Sequence, residues 1–383
     1  MSSHASSFDK ARAADLVVIG GGIHGVAAAL FSAMRGLSVI VIEKDTVARH
    51  ASGVNAGGVR RLGRHYAEVP ISNRSMQIWY DIANLLDDDC GFQIAPQIKV
   101  AETAEELAGL AARAADLEGM GFDHEVVLDA GTLRDHLPAV ADHVVGGLAS
   151  LADGFAQPYQ TTFAFQRKAR EKGVRFFENC RATGMRRESG GWLVESSEGV
   201  FCSEKLLIAG GAWAGELSGL LGEPAPVEAI APMMIVTARL PHFCDAVVGA
   251  AGRPLSFKQM PNGTVVIGGG LRGRADPRTN KSEILFRQLR QTAETAIDLF
   301  PIMRGATIVR SWSGVEGRMP DDIPVIGPSA LHENLFYAFG FSAHGFQMGP
   351  GVGEVMAELM ATGNTNAPIA PFSISRFSGA GKA

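Results

Sequence analysis

Residues 20–25 read Gly-Gly-Gly-Ile-His-Gly, with Gly20, Gly22 and Gly25 at the spacing G-x-G-x-x-G. Gly20 permits a tight turn, Gly22 lets backbone approach an anion closely, and Gly25 lets the following helix pack against a strand. Ile23 and His24 lie within the same loop. About 20 residues further on, Glu43 offers a carboxylate that can accept hydrogen bonds from ribose hydroxyls, with Lys44 beside it. Together these residue types bind the pyrophosphate and adenosine ribose of a dinucleotide. An acidic residue at Glu43 disfavours a ribose 2′-phosphate.

Such a loop needs a strand to end at Gly20 and a helix to begin after it. Leu16-Val17-Val18-Ile19 is wholly apolar, as a strand buried on both faces of a parallel sheet reads. Val26 to Met34 predicts an alanine-rich helix that Gly36 ends. Val39-Ile40-Val41-Ile42 predicts a second buried strand, closed by Glu43. Further helices are expected over 72–86, 101–118, 161–172 and 283–297. A final one is expected over 352–360, within a helix beginning near Gly349-Pro350. Short strands are expected over 174–177, 185–188, 192–195, 206–209, 233–237 and 264–267, with hairpin turns at Gly190-Gly191 and Glu198-Gly199. Residues 51–63 read as irregular, and the last dozen residues as a loose tail.

Composition narrows the function classes. In 383 residues, 46% are hydrophobic and 20% charged, enough for a sizeable core and against global disorder. The net charge of −5 leaves no basic excess for a nucleic acid. Cys90, Cys180, Cys202 and Cys244 form no C-x-x-C pair, so neither a zinc site nor an iron–sulfur cluster is expected on this chain. The scattered cysteines suit a reducing compartment. Met1 to Ala14 is polar, and no run of about 18 apolar residues occurs. The expectation is a soluble cytoplasmic protein with no spanning helix. The 46 glycines stand out against a usual level of about 7%. Besides the first loop they cluster in Ser52-Gly53-Val54-Asn55-Ala56-Gly57-Gly58, in Gly210-Gly211-Ala212-Trp213, and in the run from Gly340 to Gly353.

With these segments and with 312–327 (Trp312-Ser313-Gly314-Val315-Glu316-Gly317-Arg318 onward), the chain resembles the D-amino-acid oxidase-like (DAO) family of FAD-dependent oxidoreductases from Asp15 to about Gly363. Within it, the resemblance is closest to the β subunits of opine oxidase, D-hydroxyproline dehydrogenase and hydrogen cyanide synthase. It implies an α/β fold: a glutathione-reductase-type, Rossmann-like FAD-binding domain with an α+β substrate (cap) domain. The FAD-binding domain would comprise 14–80, 141–215 and 311–365, the cap 81–140 and 216–310, and the tail 366–383. The implied FAD contacts are Gly20, Gly22, Ile23, His24, Gly25, Glu43, Lys44, His50, Ser52, Gly53, Asn55, Ala56, Gly57, Gly58, Arg181, Ala182, Gly210, Gly211, Trp213, Gly314, Gly340, Phe341, Ser342, His344, Gly345, Phe346, Gln347 and Met348. His50 stands where some family members attach FAD covalently; non-covalent binding is the alternative.

His344, Glu316 and Arg318 are the implied catalytic positions. In glycine-oxidase-like relatives an arginine at the place of Glu316 clamps the substrate carboxylate, which Glu316 cannot do. Either Arg60, Arg61 or Arg318 holds that carboxylate, or Glu316 faces a cationic part of the substrate, or it pairs with a neighbouring arginine. The lysine that sarcosine oxidases use for oxygen falls near 265–268, which has none; Lys258 is one strand earlier. The implied reaction is FAD-dependent dehydrogenation of a secondary amine or amino-acid derivative such as an opine, D-hydroxyproline or an N-alkyl amino acid. Hydride passes from the carbon next to nitrogen to the flavin, giving an imine. The implied setting is a hetero-oligomer in which this chain is the β subunit, with an α subunit and a ferredoxin-like [2Fe-2S] subunit as partners. FMN at a subunit interface, near Arg60, Arg61, Arg64 and His65, is a further implication. The alternatives are a stand-alone glycine, D-amino-acid or sarcosine-type oxidase, and an FAD-binding electron-relay subunit.

Overall fold

The structure is a computed structural model that describes residues 12–188 and 190–378. Its first sheet has eight strands. The parallel centre runs Arg175–Phe177, Val39–Ile42, Ala13–Ile19, Gly199–Ile208 and Leu335–Phe339. Ala182–Glu188 and Gly191–Ser196 extend one edge antiparallel, and Val325–Pro328 pairs with Leu335–Phe339. Register aligns Val17 with both Leu206 and Ile40. Alternation then divides the strands between two cores. Leu16, Val18, Val39 and Val41 face one, Val17, Ile19, Ile40 and Ile42 the other. That explains why these runs carry no polar residue.

Two helices cover the first of these faces, Ile23–Met34 and Gly345–Thr362. Their contact depends on glycine. A Cβ on Gly349 would lie 2.5 Å from Ile23, and one on Gly353 would lie 2.5 Å from Ala27. Gly351 serves the same purpose against Ser75, on the helix Val69–Tyr80.

A second sheet of eleven strands stands apart. It includes Gln97–Ala101, Glu228–Thr237, Val247–Ala250, Ser256–Gln259 and Val265–Gly268, backed by the helix Phe286–Leu299. A hairpin of Arg272–Asp276 and Lys281–Glu283 projects from it. Gly58–Val59, Gln93–Ile94 and Gly154–Phe155 form a three-stranded patch.

Several elements differ from the sequence-based expectation. The helix expected over 72–86 is two, Val69–Tyr80 and Ile82–Leu86, interrupted at Asp81, whose backbone leaves the helical region (φ −107, ψ 15). Residue 101 ends a strand, Gln97–Ala101, and the helix begins only at Ala104, where Thr103 caps it. The last helix starts at Gly345, with Pro350 inside it. Glycine and proline there serve close helix contact, not termination. Residues 51–63 contain the short helix Ala51–Val54 and the strand Gly58–Val59. Up to residue 378 the tail is packed, with two 3-10 turns that bury Phe372 and Ile374; residues 379–383 lie outside the described residues. No helix among the described residues is long and apolar enough to cross a membrane.

Candidate active site

The strand Ala13–Ile19 ends in Gly20, whose φ of +116 only glycine adopts easily, and whose Cβ would meet the Ala209 carbonyl oxygen at 2.4 Å. A Cβ on Gly25 would sit 2.0 Å from the Gly20 oxygen, so Gly25 sets the helix–strand distance. Gly22 caps the helix in extended conformation with no side-chain partner. Ile23 N–H donates to Ser52 Oγ at 2.9 Å. Among the described residues the N–H groups of Gly22 and His24 find no acceptor. A helix start with free N–H groups, and the positive end of its dipole, suits a phosphate. Glu43 accepts from Gly21 N–H at 2.6 Å and from Asp45 N–H at 2.9 Å. Burial raises its carboxyl pKa, against those two hydrogen bonds.

A single cavity of about 740 Å³ runs from this loop to the second sheet, in the range of ligand and cofactor sites. Segments far apart in sequence meet around it. A Cβ on Gly314 would lie 2.2 Å from Val54, and one on Gly317 would lie 3.0 Å from the Gly211 oxygen. Trp312 Nε1 donates to the Val54 carbonyl at 2.8 Å. Gly345 abuts His24, whose ring stacks on Phe341 at 3.5 Å. Burial pulls the His24 imidazole down to about 3, and its Nε2 is buried with no partner.

Most of the expected contacts line this cavity: Gly20, Gly22, Ile23, His24, Glu43, Lys44, His50, Ser52, Asn55, Ala56, Gly57, Gly58, Arg181, Ala182, Gly210, Gly211, Trp213, Gly314, Gly340, Phe341, Ser342, His344, Gly345 and Phe346. Lys44 and His50 are held by neighbours there. Lys44 Nζ lies 3.8 Å over the Trp213 ring and donates to Asn280 Oδ1 at 2.8 Å. His50 Nε2 lies 2.7 Å from Asp45 Oδ2. Trp213 Nε1 donates to the Pro277 carbonyl at 2.8 Å, so the tip of the second-sheet hairpin rests on the cavity rim.

Five expected residues do not line it. Gly25 and Gly53 are packing glycines; a Cβ on Gly53 would be 2.0 Å from the Ala48 oxygen. Met348 is fully buried in the core and does not line the cavity. Gln347 is fully buried, accepting from Arg64 and Ser72 and donating to the Ser72 carbonyl. Arg318 is drawn away by carboxylates: it pairs with Asp322 at 2.7 Å and with Glu228, its partner across the strand pair, at 3.4 Å.

The turn from Gly340 to Gly345 is strained. Ser342 and Ala343 are consecutive non-glycine residues at positive φ (52 and 67), a conformation that persists only when neighbours enforce it. Glu316 is one such neighbour, since its Oε1 accepts from Ala343 N–H at 2.7 Å. Arg64 is another, donating to the His344 carbonyl at 2.6 Å. Glu316 lines the cavity and forms no ion pair among the described residues. Burial pushes its carboxyl up to about 7, against the Ala343 hydrogen bond and the charge of Arg272. His344 is fixed on both sides, with Nδ1 2.8 Å from the Ser342 carbonyl and Nε2 2.9 Å from Glu68 Oε1. Burial raises the Glu68 carboxyl, but His344 and Arg64 outweigh it and hold it below its usual value. These two contacts fix the orientation of the His344 ring from both sides.

Four basic residues line the end toward the second sheet: Arg60, Arg64, Lys99 and Arg253, the last paired with Glu102 and Asp298. Arg61 is tied to Asp153 at 2.8 Å and does not line it. Lys99 was not singled out from sequence. Its signal was the alternation Gln97-Ile98-Lys99-Val100, which places Lys99 on the opposite face from Ile98 and Val100. Lys258 sits directly opposite Val266, 4.4 Å over the Phe155 ring. It has no hydrogen-bond or ion-pair partner among the described residues, and burial pulls its ammonium down to about 7.

The free N–H groups at the glycine loop, the cavity that Gly20 and Gly22 line, and the orphaned His24 Nε2 fit a dinucleotide with a pyrophosphate. Comparison with known proteins agrees. The family model described as FAD dependent oxidoreductase (DAO) matches residues 15–359. The chain is 26% identical to the beta subunit of sarcosine oxidase from Arthrobacter sp, over 95% of this chain and 91% of that one. It is 24% identical to one of the subunits of opine oxidase from Rhizobium meliloti, over 95% and 97%. The solved structure of L-proline dehydrogenase from P. horikoshii superposes with a TM-score of 0.89 at 25% identity, covering 96% of this chain and 98% of that one.

Proposed function

The chain belongs to the DAO family of FAD-dependent oxidoreductases, and from that premise we propose that it oxidises the carbon–nitrogen bond of a secondary amine or amino-acid derivative. The observation that carries this reading is the continuity of the cavity. One continuous space joins the glycine loop to the second sheet, so it has room for cofactor and a small substrate side by side. Bound there, FAD supplies the acceptor for the hydride that leaves the carbon beside nitrogen; the resulting imine is then hydrolysed by water.

The chain's own residues bind and orient. The loop from Gly20 to Gly25 meets the pyrophosphate with its free N–H groups, and Glu43 takes the ribose hydroxyls. The strained turn at Ser342 and Ala343, braced by Glu316, presents backbone to the flavin, with the positive end of the helix Gly345–Thr362 behind it. His344 is held in one orientation beside the cavity by Ser342 and Glu68. No side chain is assigned as general base, because removal of hydride from a neutral amine needs orientation above all. His50, already engaged with Asp45, serves as a non-covalent contact. The FAD-binding part comprises 14–80, 141–215 and 311–365, with 81–140 and 216–310 as cap and 366–383 as tail.

Relatives named as subunits support a second element of the proposal. The chain works in the cytoplasm as the β-type member of a hetero-oligomer, handing electrons to an α subunit and a ferredoxin-like partner. Lys258 favours the rival reading, a stand-alone oxidase, since a buried lysine without a counter-ion lies near the cavity. Anaerobic mixing tests the reaction. Flavin absorbance should bleach with N-methyl amino acids, proline derivatives or opines. Bleaching by none of them, or only by primary D-amino acids, would overturn the reading.

A further inference from the structure

Arg60 and Lys99 are neighbours in the cavity wall: the position of a Gly63 Cβ lies 3.4 Å from an Arg60 nitrogen and 3.2 Å from Lys99 Nζ. Neither forms an ion pair among the described residues, and Arg60 donates only to the Leu62 carbonyl. Carboxylates are near, but each is committed. Glu125 accepts from Arg113 and from Gly63 N–H. Asp153 accepts from the Arg61 side chain and from the N–H groups of Arg61 and Leu62. Glu68 holds His344 and the N–H of His65. Two like charges side by side in a half-buried wall repel and are poorly solvated. In keeping with this, burial and then the charge of Arg60 pull the Lys99 ammonium below its usual value.

We propose that Arg60 and Lys99 form an anion subsite of the cavity, and that the substrate is a secondary amine carrying a carboxylate on each side of its nitrogen. One carboxylate would match one cation and leave the other unmatched in the same wall. Two carboxylates match both, and the flexible lysine adapts to the second while the planar guanidinium takes the first in a forked contact. Arg253 is already paired with Glu102 and Asp298, and Arg64 is committed to the His344 carbonyl and Gln347, so discrimination between one and two carboxylates rests on this pair. The inference depends on the reading of the cavity as a site of amine oxidation, and it names the substrate class.

Binding without turnover separates the two. Thiodiacetate carries two carboxylates and methylthioacetate one, and sulfur replaces the oxidisable nitrogen in both. Calorimetric titration of the FAD-loaded full chain should show thiodiacetate binding at least about tenfold tighter. In Lys99→Met that preference should fall to within about twofold, with unchanged FAD content and circular dichroism. Arg60→Met should weaken both ligands. Equal binding or no binding in the wild type would overturn the subsite, as would equal loss for both ligands in Lys99→Met. Bleaching of the flavin by one-carboxylate amines together with such a result would leave the amine reaction standing while removing the subsite. A tenfold preference without bleaching by any amine would do the reverse.

Discussion

Replacing Glu316 by glutamine should remove a pH dependence built into the cavity wall. The carboxyl is raised from an ordinary 4.5 to about 7, chiefly by burial. A folded-state value above the unfolded one means that the neutral acid is favoured on folding. Its contribution is therefore complete below about 4.5 and is lost as pH rises through 7. At 1.36 kcal/mol per pH unit, that span amounts to roughly 3 kcal/mol. Glutamine keeps an acceptor for Ala343 N–H and cannot ionise. Denaturant titrations of wild type and Glu316→Gln without added FAD, at pH 5 and pH 8.5, provide the assay. The difference between the two proteins cancels groups they share. The wild type should lose roughly 3 kcal/mol relative to the variant between the two pH values. Parallel profiles would refute the reasoning, and a variant more sensitive to alkali than the wild type would reverse its sign.

Gly20→Ala should abolish FAD retention on gel filtration and lower stability by about 1–3 kcal/mol or more, because the new Cβ meets the Ala209 oxygen at a backbone angle reserved for glycine. Arg318→Ala should leave kcat/KM within about twofold, since its surface pairs with Asp322 and Glu228 carry only roughly 0–1 kcal/mol. Lys258→Met should stabilise the protein by about 1–4 kcal/mol at pH 6, measured by denaturant titration. That gain should shrink as pH rises from 7 toward 10.5, because the depressed lysine loses its charge there. If the same variant loses peroxide formation while anaerobic bleaching persists, the chain is an oxidase; unchanged electron transfer to an artificial acceptor with no peroxide in the wild type marks a dehydrogenase.

The strand–helix–strand unit around Gly20 was legible because its signals are local. Both strands are buried on both faces, so every residue is apolar, and each glycine marks a backbone approach. The last helix was less legible because Gly349, Gly351, Gly353 and Pro350 are ordinarily breakers. Only the positions of Ile23, Ala27 and Ser75 on other helices show why small residues belong there. The end of the cavity at the second sheet was the least legible. Gln97–Ala101 pairs in parallel with Val247–Ala250, and nothing local announces a partner so distant in sequence. Lys99 acquires meaning only through that pairing and through Gly63. The pairing of Arg318 was hidden for the same reason, as its strand partner Glu228 lies 90 residues earlier.

The pairing of Ala13–Ile19 with Gly199–Ile208 has a consequence for synthesis. A ribosome adding roughly 5–20 residues per second needs roughly 10–40 s to reach the second strand after finishing the first. Through that interval the apolar strand that carries the glycine loop has no permanent neighbour on one side. The helix that packs on it, Gly345–Thr362, emerges later still. The dinucleotide cradle therefore closes only after residues 199–208 and 345–362 have been made.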